Sequence, residues 1–266
     1  MARKIDVEYR VSADKSALAH AAAEHFIAKI NEAAAARGRA RVAISGGSTP
    51  KVTFGLLTDP AQPYLQQMPW DKLELYFVDE RCVPADDAAS NYRMTREMML
   101  ERSPMKPEQV IRIEGELPPE EAAARYESAI RGHFRLEGAE VPRFDIIQLG
   151  MGTDGHTASL FPHTDALHEL GRIAIANHVP QQAQSWRITL TWPVIVEAAH
   201  IFFLIESSDK AGPLHSVLQG AYDPETLPSQ LIQPKNGRLL FLLDKAAAAE
   251  LPAPAADGVG RLEITR

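Results

Sequence analysis

Cysteine occurs once in the 266 residues, at position 82, so the chain can form no internal disulfide and no multi-cysteine zinc site. Cys82 sits in VDERCVP, near the end of a strand-like run, and is read as packing, because thiol reactivity requires a depressed pKa. No apolar run approaches the roughly 20 residues of a membrane span. The opening MARKIDVEYR lacks the apolar stretch of a secretory signal, and the expectation is a cytoplasmic protein without membrane partners. A basic excess is missing as well: 28 Lys and Arg stand against 35 Asp and Glu, a net charge of −7. A surface that tracks nucleic-acid phosphates needs the opposite balance, whereas a few local cations suffice for a small anion. The P-loop pattern G-x-x-x-x-G-K-[ST] is absent, which argues against ATP, and no G-x-S-x-G elbow offers a serine nucleophile.

What is present is an alternation of apolar strand-like runs with alanine-rich helical ones. Strand candidates are VEYRV near residue 7, then 41–45, 73–78 and 144–149, and in the second half RIAIANHV, WRITLTW, HIFFLIE and RLLFLL. Helical periodicity covers 13–37, stopped by Gly38, and also 51–57, 91–101, 119–137, 193–199 and 210–219. AAAAELPAPAADG (246–258) reads as a loose C-terminal segment. Repeated β–α alternation with near-continuous apolar strands predicts an α/β fold, a three-layer Rossmann-like arrangement in which a mostly parallel sheet is covered by helices on both faces. Residues 1–266 read as a single domain, since neither a repeat nor a low-complexity linker divides them.

In such folds ligands bind beyond the carboxyl ends of the strands. Four polar clusters fall there: GGSTP after 41–45, DER after 73–78, GMGTDGHT after 144–149, and SSDK after HIFFLIE. Gly46, Gly47, Ser48 and Thr49 lie between a strand and a helix, where glycine lets backbone N–H groups approach an anion and hydroxyls add donors; a plain turn with an N-cap would read the same. Gly150-x-Gly152-x-x-Gly155 has the spacing of a dinucleotide fingerprint. The acidic residue expected about 20 positions on to hold a ribose is replaced by Asn177 and His178, and Leu160-Phe161-Pro162 breaks the helix that would face a pyrophosphate. His163 and His168 do not share a helix face with His156, and Pro162 intervenes, so no metal site is expected.

GMGTDGHTASLFP, taken with ISGGSTP, VDER, SNYRM and RITLT, resembles the 6-phosphogluconolactonase family from about residue 40 to beyond 210. The resemblance implies a metal- and cofactor-independent hydrolase of the pentose phosphate pathway, acting on a sugar-phosphate lactone as a monomer or small homo-oligomer. It implies the fold shared with glucosamine-6-phosphate deaminases, the alternative reading. In those enzymes a glutamate occupies the position of Phe161, and phenylalanine cannot transfer protons.

On this reading His156 is the general base, taking a proton from water and returning it to the ring oxygen. Asp154 orients the imidazole, binds the sugar, or forms an Asx-turn. Arg81 and Lys210 match substrate-contacting positions of the family, as oxyanion or phosphate ligands; a solvated surface charge is the bland alternative for each. Arg187 either reaches the same anion or lies on the surface at a strand start. Asp79 and Glu80 are structural partners of Arg81 or hydroxyl acceptors, with Asn91 and Tyr92 behind them. A catalytically dead sugar-phosphate sensor would keep the same pocket, but would be expected to lose His156 first.

Overall fold

The computed structural model describes residues 4–265. In chain order the elements are β1 (Lys4–Ser12), α1 (Lys15–Arg37), β2 (Ala40–Ile44), α2 (Ser48–Leu57), α3 (Tyr64–Gln67), β3 (Leu73–Phe77), β4 (Asp79–Arg81), α4 (Asn91–Met98), β5 (Val110–Ile111), α5 (Pro119–Phe134), β6 (Ile146–Leu149), β7 (Ala174–His178), β8 (Trp186–Leu190), α6 (Trp192–Ile195), β9 (His200–Ile205), α7 (Ala211–Gln219), β10 (Arg238–Asp244) and β11 (Val259–Thr265). Eight strands form one sheet in the order β11-β1-β10-β9-β6-β2-β3-β5, and all its pairings are parallel except that of β11 with β1. The expected α/β arrangement, a mostly parallel sheet with helices on both faces, is the observed one.

Local chemistry explains the boundaries. Asp14 caps α1 by accepting from the Ala17 N–H at 2.9 Å, and Gly38 ends the helix at φ 73°, a conformation that costs a residue without Cβ little. Alternation along β9 sends Phe202 to one face, where Phe26 of α1 meets it edge-on at 4.9 Å, and Phe203 to the other, stacked on Phe241 of β10 at 4.6 Å. Both are fully buried, and each contributes about 1.5–3 kcal/mol by leaving water.

Two expectations need correction. The runs at 172–179 and 186–192 do not join the parallel sheet: β7 and β8 pair antiparallel, and β8 pairs antiparallel with the three-residue β4, making a separate sheet β4-β8-β7. An apolar run marks burial on both faces but not the direction of its neighbour. The helix expected over 193–199 is the single turn α6. The segment 246–258 holds no helix or strand, as expected, and the chain after it forms β11, an antiparallel edge strand along β1.

The short β4 is held by its own carboxylates. Glu80, 2% exposed, accepts from the backbone N–H groups of Arg81 (2.7 Å), Asn91 (2.8 Å) and Tyr92 (2.8 Å) and from the Ser90 hydroxyl (3.0 Å). It thereby closes the N-terminus of α4, whose N-cap is Ser90. Burial pushes the Glu80 carboxyl above its ordinary value, against the lowering pull of those four bonds. Glu80→Ala removes the acceptor of one buried and two part-buried N–H groups, at about 1–3 kcal/mol each. Urea denaturation should show a loss of about 3 kcal/mol or more, and a loss below about 1 kcal/mol would contradict this role.

Candidate active site

A cleft of about 490 Å³ opens beyond the carboxyl ends of β2, β6 and β9 and is walled on one side by β4 and β8. Its lining draws on all four polar clusters: Gly46 to Thr49, Asp79 and Arg81, Gly150 to Gly152 with His156, and Ser207, Asp209 and Lys210; Arg187 joins from β8. All the proposed site residues except Asp154 line it, and Asp154 stands directly behind His156.

Asp154 Oδ1 lies 2.6 Å from His156 Nδ1 and also accepts the His156 backbone N–H at 3.1 Å. Two of the three alternatives for Asp154, orienting the imidazole and forming an Asx-turn, are therefore one geometry, in which the turn brings the carboxylate to the ring. Burial pushes the Asp154 carboxyl up, but the hydrogen bonds and charge of His156 outweigh it and hold the group below its ordinary 3.8. An ionised carboxylate can only accept, so Nδ1 carries the proton and a neutral ring keeps its lone pair on Nε2. The ring's face is set by Phe161, stacked at 4.0 Å and 22°.

The glycines of the false fingerprint serve this turn. A Cβ at Gly152 would come within 2.1 Å of His156 Nδ1 and 2.5 Å of Asp154 Oδ1, so the pair can close only over glycine. Gly155 has φ 75° and presses on Leu227, while Gly150 has open space around it. No helix follows: the chain turns through a bridge between Thr157 and Leu160, and no helix N-terminus points at a pyrophosphate. The earlier glycine loop does lead into a helix, α2, which starts at Ser48. Gly47, at φ 122°, makes the turn, and the first N–H groups of α2 face the cleft end of the helix without intrahelical partners. Gly46 is fixed by contact, since a Cβ there would overlap the Asn91 side chain at 1.9 Å.

Three cations share the cleft. Arg81 and Arg187 stand directly opposite each other on the β4–β8 ladder. Like charges in that register are destabilising, and neither guanidinium pairs with a carboxylate among the described residues. Each is anchored to a carbonyl instead, Arg81 to Ala89 and Arg187 to Gln184, and Arg81 Nε is buried without a partner. Arg187 is 6% exposed, so the surface alternative for it falls; burial, then Arg81, pushes its guanidinium below the ordinary value. Lys210 lies beside Asp209 at 3.8 Å with 22% of its side chain exposed. Asp79 is more occupied than expected: Oδ2 accepts from Ser159 Oγ at 2.7 Å and Oδ1 from Asn91 Nδ2 at 3.3 Å. His163 and His168 turn to Glu225 (3.8 and 3.4 Å), and no cluster of three or more His, Cys, Asp or Glu suited to a metal occurs among the described residues.

Residues 13–241 match the family described as glucosamine-6-phosphate isomerases/6-phosphogluconolactonase. The chain belongs to that family. A 6-phosphogluconolactonase of Nostoc is 36% identical over 90% of this chain and 95% of its own, and the one of Homo sapiens 38% over 83% and 84%. The solved 6-phosphogluconolactonase from Trypanosoma cruzi superposes with a TM-score of 0.80 at 30% identity, covering 91% of this chain and 96% of that one. A monomeric glucosamine-6-phosphate deaminase, 18% identical with a TM-score of 0.74, shares the fold. No helix among the described residues is long and apolar enough to cross a membrane.

Within this isomerase/lactonase family framework, two contacts escaped the sequence reading. Phe161 registered there only as a missing carboxylate, whereas it packs on the imidazole. Glu206, which lines the cleft and binds Lys15 at 2.7 Å, sits in a stretch read only as strand. The Asp154–His156 pair carries a pH signature. Its folded-state carboxyl value is depressed, so its contribution is complete above the ordinary 3.8 and vanishes as pH falls through the folded value. Asp154→Ala should therefore cost stability at pH 7 and progressively less as the pH falls below 3.8. Denaturation midpoints for both proteins across this range check it, and a pH-independent difference would contradict it.

Proposed function

We propose that the chain hydrolyses 6-phospho-D-glucono-1,5-lactone to 6-phosphogluconate, as one α/β domain and without a metal or cofactor, with His156 as general base. The observation that carries this reading is the 2.6 Å Asp154–His156 contact inside a cleft rimmed by three cations. Nε2 takes a proton from a water as its oxygen attacks C1, and the carbonyl π electrons move onto the carbonyl oxygen. Arg81 faces that oxyanion. When the tetrahedral intermediate collapses, the bond from C1 to the ring oxygen breaks, and the imidazolium returns its proton to the departing oxygen. Asp154 holds the ring orientation throughout and stabilises the cation formed on the way.

Phosphate recognition is assigned to Lys210 with the start of α2, and Arg187 stands opposite Arg81 to share whichever anionic end reaches it. Separation of phosphate from carbonyl means that binding energy at one end positions the other. A deaminase-like isomerisation would require a second proton-transfer group beside the imidazole. The side chain stacked there is Phe161, which supports the hydrolytic reading.

Lactone opening should be faster than the spontaneous rate, with EDTA present, and His156→Ala should lose about 10²–10⁴-fold in turnover while remaining folded. No acceleration by the natural protein would leave the non-catalytic sensor, and abolition by chelator with zinc rescue would point to a metal enzyme. Lys210→Ala should lower kcat/KM for the phosphorylated lactone far more than for unphosphorylated gluconolactone. Equal fractional losses on the two substrates would move the phosphate site elsewhere.

A further inference from the structure

Ser207 opens the turn that carries Lys210, and its backbone is at φ 87°, ψ 146°, a region that residues with a Cβ rarely adopt. Three other described non-glycine residues have positive φ, and of the four Ser207 has the largest value. The conformation is needed because the chain leaves β9 at Ile205 and must swing the short helical turn Ser208–Lys210 over the mouth of the cleft. Something has to hold a serine there.

We infer that Asp244, a residue outside the cleft lining, is the positioning residue for this turn and hence for Lys210. Asp244 ends β10, one residue past Leu243, the partner of Ile205 at the end of β9, and is 8% exposed. Both of its carboxylate oxygens receive the Ser207 N–H at 3.2 Å, and Oδ1 also accepts from Ala247 N–H at 2.7 Å. Ala247, itself fully buried, anchors the carboxylate from the far side. With its N–H held on that carboxylate, Ser207 carries the chain on into the Ser208–Lys210 turn at positive φ. The Ser207 carbonyl then accepts from Lys210 N–H at 3.2 Å, and its hydroxyl bonds the Asp209 carboxylate, which is held below its ordinary value first by that bond. The chain of contacts runs from a buried carboxylate on one strand, through a strained serine, to the lysine at the cleft.

This inference rests on the proposed function only for the role given to Lys210; the positioning itself is independent of it. Asp244→Ala should lower kcat/KM for the phosphorylated lactone about 10–100-fold, the order expected when a positioning group shifts by about 1 Å. The loss should be smaller on unphosphorylated gluconolactone, and Lys210→Ala should cost much less in the Asp244→Ala background than alone. Ser207→Gly is the diagnostic partner. Glycine adopts positive φ freely, so the double variant should regain much of what Asp244→Ala loses, judged against Ser207→Gly alone as the control for the missing hydroxyl. Amide hydrogen exchange over 206–211 supplies a readout that needs no activity: faster in Asp244→Ala, slower again in the double variant, and unaltered elsewhere.

Uniformly faster exchange along the chain, equal losses on both lactones, or no rescue by glycine would overturn the inference and make Asp244 a general support. If the natural protein opens neither lactone, the proposed function falls, and the exchange pattern still decides the role of Asp244. If the alanine variant does not fold, Asp244→Leu keeps the bulk of the side chain and offers no oxygen to the Ser207 N–H. Natural exchange at Ser207 together with natural kinetics in that variant would equally overturn it.

Discussion

The site depends on two adjacent carboxylates buried in β4, just beyond the end of β3, and on their facing opposite ways. Glu80 is spent on backbone N–H groups and closes α4, which brings Asn91 against the glycine loop at Gly46. Asp79 reaches the other way to Ser159, two residues before Phe161, and so ties β4 to the loop that carries His156. A buried ionised carboxylate is tolerated only when hydrogen bonds replace its water. Here the donors that satisfy the pair come chiefly from the start of α4 and from the loop after His156, so solvating the acids and assembling the cleft are the same set of contacts. Asn177 extends the tie by donating to the Ser159 carbonyl at 2.9 Å.

The cleft of this acidic protein sets three bases, Arg81, Arg187 and Lys210, among three acids, Asp79, Glu206 and Asp209. Asp79, Glu80 and Glu206 each have hydrogen-bonded partners, and Asp154 is committed to the imidazole. Arg81 and Arg187 are held by carbonyls and by the ladder that sets them face to face. Net charge is a poor guide at this scale, because local potential follows where the individual charges stand.

Much of this was legible in the sequence. Strands β1, β2, β3, β6, β9 and β10 of the main sheet, the long α1 with its Gly38 stop, and the clustering of GGSTP, DER, GMGTDGHT and SSDK at strand ends follow from periodicity, punctuation and the rule for where open parallel sheets bind ligands. The glycines of GMGTDGHT were legible as a demand for close approach, though not as room for the Asp154–His156 pair itself. Arg187 stayed ambiguous between cleft and surface, since an arginine at the start of a strand reads the same in both places.

What the sequence by itself determined is the local part: which stretches become strands or helices, where they stop, and which residue types are gathered in each loop, all set by side-chain sterics and hydrogen bonding over a few residues. Tertiary structure alone decided the rest. The antiparallel β4–β8 pairing that faces Arg81 with Arg187 joins residues more than a hundred positions apart. The stack of Phe161 on His156 needs a fold-dependent turn, although only five residues separate them. The carboxylate of Asp244 beneath Ser207 comes from a strand that periodicity marks merely as buried. Burial is written in local pattern, but direction, register and partner are properties of two segments at once, and a single segment carries no record of which other one it will meet.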